Sequence, residues 1–132
     1  MKKHWRFLAL AALLATAAPA SAGSVNDADM VALQAAMQSH IDSTLVDGAV
    51  LSIDQSTGDI TKLYPGKAHP KLMIMGDKYV LCANFMDEAG NMVMGNFYMA
   101  RNGSQFVVFA STFGPDALLE RLMADGKVAA GN

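Results

Sequence analysis

Apolar side chains recur at every third or fourth position near the start of the chain, which is the pattern of one buried helical face. The repeating residues are Met30, Leu33, Met37, Ile41 and Leu45. Asn26 or Ser24 can cap such a helix, because a side-chain oxygen there accepts hydrogen bonds from free backbone N–H groups of the first turn. We therefore expect a helix that ends near Thr44, before the turn residues Asp47 and Gly48.

After Gly48 the apolar period changes to two, which predicts β-strands separated by turns. The expected strands cover residues 49–53, 59–64, 72–75, 79–86, 92–100 and 106–113. Asn102-Gly103 favours a tight hairpin turn, since both residue types tolerate a positive φ. Pro65-Gly66 and His69-Pro70 predict a loop between the second and third strands.

A closing helix is predicted from an apolar stripe near the C-terminus, formed by Leu118, Leu119, Leu122 and Met123. Pro115 suits its first helical position and Gly126 its end. The order of elements predicts an α+β domain with an N-terminal helix, a meandering antiparallel sheet of five to six strands, and a C-terminal helix packed on one sheet face. From His69 to Phe109 this order resembles small exported cystatin-like and NTF2-like domains in outline.

The strongest predicted hairpin joins strands 79–86 and 92–100, and alternation places its aromatic core residues on one face. Closing the turn by pairing Met86 with Met92 places Val80 opposite Tyr98 and Cys82 opposite Asn96. The opposite face, called the second face below, then carries Val80, Cys82, Asn84, Met86, Met92, Met94, Asn96 and Tyr98. A slip of one residue would break this grouping.

Both faces of the predicted sheet are apolar, and we expect the two helices to cover only the aromatic one. One interpretation is that curvature and loops bury the second face, with methionines filling gaps. Another is an interaction surface for a protein partner or for a second copy of the chain. A third is a Cu(I) site, because thioether and thiolate sulfur bind this soft ion. Its candidate ligands are Met73, Met75, Cys82, Met86, Met92, Met94 and His69.

The first 22 residues are typical of a secretory signal peptide. Lys2, Lys3 and Arg6 form its positive region, residues 7–18 its apolar stretch, and Ala20-Ser21-Ala22 its cleavage site. Cleavage would leave one α+β domain, residues 23–132, in the periplasm or outside the cell. The apolar stretch is shorter than the roughly 20 residues that span a bilayer, so we expect no membrane insertion after cleavage.

Composition narrows the classes of partner. The chain has 10 basic and 12 acidic residues, and three of the basic ones belong to the leader. The remaining basic residues are scattered, whereas nucleic-acid binding requires clustered Lys and Arg. We therefore expect no nucleic-acid partner. Cys82 is the only cysteine, which excludes an intramolecular disulfide, and we expect it to be buried as a small hydrophobic residue.

The chain lacks the common nucleophile, phosphate-loop and zinc-protease motifs. A thiol enzyme would pair Cys82 with His40 or His69, but a cysteine in the middle of a strand lacks the electropositive, partly open environment that a reactive thiol needs. We therefore expect no catalysis and no cofactor. The sequence favours an exported binding domain that uses the second face. A periplasmic Cu(I)-binding protein is the alternative, and a thiol enzyme the second alternative.

Overall fold

The computed structural model describes residues 25–131, except for the side chains of residues 68–70. The predicted leader and its cleavage site lie outside the described residues. In chain order the elements are α1 (Asp27–Thr44), β1 (Val50–Ile53), β2 (Ile60–Met75), β3 (Lys78–Met86), β4 (Met92–Asn102), β5 (Gln105–Phe113), α2 (Ala117–Ala124) and β6 (Ala129–Ala130). This order confirms the predicted α+β class with a helix at each end of an antiparallel sheet.

The first helix has the predicted cap and the predicted end. The side chain of Asn26 accepts a 2.8 Å hydrogen bond from the backbone N–H of Asp29. Asp27 and Asp29 lie in the first turn, where the helix dipole favours negative charge. Its buried stripe consists of Leu33, Met37 and Ile41. These residues belong to the apolar repeat that predicted the helix. Among residues 25–131, no helix is long and apolar enough to cross a membrane.

The strands form one antiparallel sheet in the order β1-β2-β3-β4-β5, and β6 pairs with β2. The register of β3 and β4 is the predicted one. Met86 pairs with Met92, Cys82 with Asn96 and Val80 with Tyr98. The alternation therefore assigned each side chain of this hairpin to its correct face.

The predicted loop at residues 65–70 is wrong, because β2 runs through it as a single strand. The chain accommodates proline and glycine with register shifts between Pro65 and Ala68 and between Ala68 and Leu72. Proline cannot donate a ladder hydrogen bond and is tolerated at such irregularities. A Cβ atom on Gly66 would lie 2.9 Å from the carbonyl oxygen of Asn84, so glycine allows β2 and β3 to approach closely here.

The two helices cover opposite faces of the sheet, which corrects the expectation that both cover the aromatic face. Helix α1 packs on the aromatic face, where its buried stripe meets a core that includes Phe85, Phe97 and Met99. Helix α2 packs on the second face, where Leu119 and Leu122 join the cluster that contains Val80, Cys82 and Tyr98. The sequence missed this because an apolar stripe shows that a helix is packed but not on which face.

The chain after α2 holds that helix against the sheet. Asp116 is the N-cap residue, so Pro115 precedes the cap instead of occupying the first helical position. The helix ends at Ala124, and Gly126 has a φ of +72°, which suits glycine at this reversal. Strand β6 then pairs Ala129 with Ile74. Two alanines carry no strand signal, and β6 was not predicted.

Candidate functional site

Helix α2 divides the second face into a covered part and an open part. Val80, Cys82, Asn96 and Tyr98 are buried. Asn84 and Met94 are half-buried. Met86 and Met92 are exposed. The predicted site residues therefore share one face as expected, but α2 removes half of them from the surface.

A chain of polar side chains lies in the covered part, near the start of α2. The Cys82 thiol donates to Asn96 Oδ1 at 3.2 Å, and Asn96 Nδ2 donates to Thr112 Oγ1 at 3.4 Å. The hydroxyls of Thr112 and Tyr98 both donate to Asp116 Oδ2, at 2.6 and 2.7 Å. The other Asp116 oxygen accepts the backbone N–H of Leu119 at 2.9 Å. These contacts tie the first turn of α2 to β4 and β5.

Burial and hydrogen bonds within this row of polar side chains stabilise an ionised Asp116 and a neutral Tyr98. Burial opposes ionisation of Asp116, but hydrogen bonds from Thr112, Tyr98 and the Leu119 backbone hold its pKa below the usual value. Burial, followed by the hydrogen bond to Asp116, raises the pKa of Tyr98 well above its usual range. The charge on Asp116 therefore has a structural use, as a cap and as an acceptor for two hydroxyls.

The environment of Cys82 does not favour thiol chemistry. The residue is a free cysteine and is buried. Burial raises the pKa of the thiol, and the positive charge of Lys71 offsets this only in part. Because the thiolate is the nucleophile, a raised pKa is the opposite of what a thiol enzyme requires.

The candidate copper ligands are only partly brought together. Met73 and Cys82 are buried in the second cluster, and Met75 and Met94 pack against it. Met86 and Met92 lie outside that cluster, and the side chain of His69 lies outside the described residues. Among the described residues there is no group of three or more His, Cys, Asp or Glu side chains placed to hold a metal.

Beyond α2 the second face has an open end, called the open patch below. Six large apolar side chains are exposed there: Leu51, Ile53, Ile60, Tyr64, Met86 and Met92. Register and alternation place them on one face. Tyr64 pairs with Met86, and Met86 with Met92, in a row across three strands. In the first hairpin Ile53 pairs with Ile60, which extends the patch to β1.

Only two members of the open patch, Met86 and Met92, were predicted from the sequence. Its period-two signal did extend to the first hairpin, where buried Val50 and Leu63 pair on the opposite face. Leu51 and Ile60 follow from that pair by simple alternation. They were missed because the face of the first hairpin could not be related to the central hairpin while residues 65–70 were interpreted as a loop.

Asn84 lies on the second face, together with the covered part and the open patch. Its Oδ1 atom is buried without a hydrogen-bond partner in the described chain, which leaves one acceptor unused at a position paired with Met94.

The aromatic face has small clefts where α1 does not reach. One of about 190 Å³ is lined by His40, Thr44, Phe97 and Phe113, among others. His40 lies edge-on to Phe97, with ring centroids 6.1 Å apart. None of the described hydrogen bonds links the His40 ring to Cys82, the pairing that a thiol enzyme would require.

No known protein family, curated protein or solved structure matches the chain. The resemblance in outline to cystatin-like and NTF2-like domains is therefore not confirmed.

Proposed function

We propose that this chain is a small exported, non-catalytic binding domain that holds a protein partner on the open patch. The observation that carries the proposal is the exposure of six large apolar side chains on one sheet face, beside a part of the same face that α2 covers. Contiguous apolar surface on a soluble domain is typical of contact sites. The signal-like leader supports export, and the raised pKa of Cys82 supports a role without thiol chemistry.

The composition of the open patch also suits protein binding. Tyr64 supplies a rigid aromatic surface with a polar tip, a residue type enriched at interfaces. Met86 and Met92 supply flexible, polarisable side chains that adapt to the shape of a partner. None of the six open-patch residues belongs to either of the two buried clusters. Folding of the domain therefore does not explain why these apolar side chains are present on the surface.

Site-specific photo-crosslinking in the cells that make the protein tests the proposal. A benzophenone amino acid is placed at Met92, which is 68% exposed, or at Val31 on the outer face of α1, which is 65% exposed. We expect a discrete protein adduct from position 92 and none from position 31. Equal crosslinking from the two positions, or none from position 92, would contradict the proposal.

Cu(I) binding by the covered part is a second candidate function. It is favoured by one observation, the shared cluster of Cys82 and Met73 with Met75 and Met94 packed against it. Competition with a chromophoric Cu(I) chelator provides the test. If the candidate is right, Cys82→Ser and Met94→Leu remove the binding, whereas Met92→Leu, outside the cluster, leaves it unchanged. If the three variants and the unsubstituted protein compete equally well with the chelator, Cu(I) binding by the covered part is excluded.

A further inference from the structure

The open patch carries an ion pair with one charge of each sign. Lys62 lies on the second face of β2, between Ile60 and Tyr64 in the alternation, and pairs with Leu51 of β1. Its Nζ atom is 3.8 Å from Oε1 of Glu88, in the turn between β3 and β4, and both side chains are more than half exposed. The pair therefore adds no net charge to the apolar side chains beside it.

Two acidic residues next to the patch in sequence do not contribute to it. Asp54 follows Ile53 and Asp87 follows Met86, but both acidic residues line a cleft on the other side of the sheet. That cleft includes Phe113, which packs against the aromatic core. The chain has more acidic than basic residues, yet these two carboxylates do not repel a partner of the same charge at the open patch.

The apolar area of the open patch is close to the area that a dimer requires. Its six members are between 42% and 68% exposed, and a large side chain has on the order of 200 Å² of surface. The patch therefore offers about 600 Å² per copy, compared with about 800 Å² per partner in a stable interface. An interface of this size predicts a dimer that forms at high protein concentration and dissociates on dilution.

We propose that the occupant of the open patch is a second copy of this chain, packed face to face through the same patch; this inference rests on the proposed function. A two-fold interface brings the same surface of both copies together, so that surface has to complement itself. Because Lys62 and Glu88 are neighbours, a two-fold axis near them lets each Lys62 face the Glu88 of the other copy. A partner with a net charge of one sign gains nothing from this neutral pair, whereas a second copy supplies both matching charges.

Sedimentation velocity over a dilution series of the purified domain without its leader tests the inference. We expect the sedimentation coefficient to rise with concentration from that of a monomer to that of a dimer. Tyr64→Ser with Met92→Ser should raise the dissociation constant at least about tenfold, because apolar contact is lost from both copies. The control, Leu118→Ser with Met123→Ser, removes two exposed apolar side chains from α2 and should leave the dissociation constant unchanged. Equal losses in the control would overturn the inference.

An exchange of charges tests the two-fold symmetry of the interface. Lys62→Glu and Glu88→Lys should each weaken self-association, because the charges at the interface then all have the same sign. Mixing the two variants should restore a dimer with one chain of each kind, which native mass spectrometry detects when one variant is isotopically labelled. The control variants Lys127→Glu and Glu120→Lys change exposed charges near α2, and each alone should dimerise like the unsubstituted domain. A mixture of Lys62→Glu and Glu88→Lys that dimerises no better than either variant alone would overturn the inference.

The outcomes separate this inference from the proposed function. If the domain stays monomeric and position 92 gives an adduct in cells whose mass is not twice that of the chain, the open patch holds a different protein and only the inference fails. A dimer that is insensitive to the Tyr64 and Met92 substitutions uses another surface, which also overturns the inference. If the domain is monomeric and sediments with phosphatidylcholine vesicles, the occupant is a lipid surface. Absence of any adduct from position 92 contradicts the proposed function as well.

Discussion

Tyr98 and Asp116 are 18 residues apart in sequence, and the Tyr98 hydroxyl donates a 2.7 Å hydrogen bond to the Asp116 carboxylate. Tyr98 belongs to the second face of β4, and Asp116 caps α2. Their contact fixes the side of the sheet on which α2 packs. That choice decides which part of the second face is closed and which part remains open for binding.

Substitution of Asp116 should destabilise the fold strongly. Asp116→Ala removes the N-cap of α2 and leaves the hydroxyls of Tyr98 and Thr112 without their acceptor. We expect the free energy of unfolding to fall by about 2–3 kcal/mol, since a cap contributes about 1 kcal/mol and a buried unpaired donor costs about as much again. Urea denaturation measures the change.

The matched control is Asn26→Ala, which removes the N-cap of α1. Asn26 is exposed and accepts a single backbone hydrogen bond, so its loss should cost only about 1 kcal/mol. Equal effects of the two substitutions would show that the contacts of Asp116 with the sheet contribute nothing beyond capping.

The contribution of Asp116 should depend on pH in the acid range. Its folded-state pKa is lowered below the ordinary value of 3.8. The stability that its charge provides is therefore complete above the unfolded pKa and is lost as the pH falls through the folded pKa. The stability difference between the wild type and Asp116→Asn should be constant from about pH 7 to pH 5 and shrink below about pH 4. A difference that grows on acidification would contradict this sign.

Cys82 should react slowly in the native protein. Its thiol is buried and its pKa is raised, so both access and thiolate fraction are reduced. We expect alkylation by iodoacetamide at neutral pH to be at least about tenfold slower than in urea, where the thiol has its ordinary pKa. Intact-mass spectrometry follows the reaction.

The same reaction reports on α2. If α2 covers Cys82 as described, Asp116→Ala should accelerate alkylation while leaving the rate in urea unchanged. Alkylation of the native wild type as fast as the denatured chain would refute burial of the thiol and restore the thiol-enzyme alternative.

A side chain at position 95 should destabilise the fold. It lies in β4, and a Cβ atom there would be 2.7 Å from Phe85 Cε2 and 3.1 Å from Phe97 Cε2. Both rings are fully buried, so they have little room to move. Gly95→Ala should destabilise the fold by about 1–3 kcal/mol through overpacking.

A double-mutant cycle with Phe85→Leu checks the cause, because leucine lacks the atom nearest to the new methyl group. The double variant should be less destabilised than the sum of the two single variants. Additive losses would mean that the cost of Gly95→Ala does not arise from this contact.

The elements that were predicted correctly are those with strong local signals. Asn26 and the stripe from Leu33 to Ile41 specified α1, and unbroken alternation specified the register of β3 and β4. Such local signals fix which residues share a face. They also predict the pairing of Cys82 with Asn96 that the sheet contains.

The predictions that were wrong concern how strands and helices pack against one another. Pro65 and Gly66 carry loop signals, yet bulges absorb them within β2, and that choice depends on pairing with β3. Likewise, the apolar stripe of α2 is compatible with either sheet face. The deciding contacts join Asp116 to Tyr98 and Thr112, which come together only in the folded chain. The open patch depends on both features, so local patterns predict only two of its six members.

Methionine oxidation footprinting in cells detects whether a partner covers the open patch. Met86 is 47% exposed in the open patch, and Met123 is 44% exposed on α2, away from it. In the isolated domain at low concentration, both should be oxidised by dilute peroxide, together with Met92. In the cells that make the protein, we predict that Met86 and Met92 are protected while Met123 is still oxidised. If Met86 and Met92 are oxidised at the same rates relative to Met123 in cells and in isolation, no partner covers the open patch.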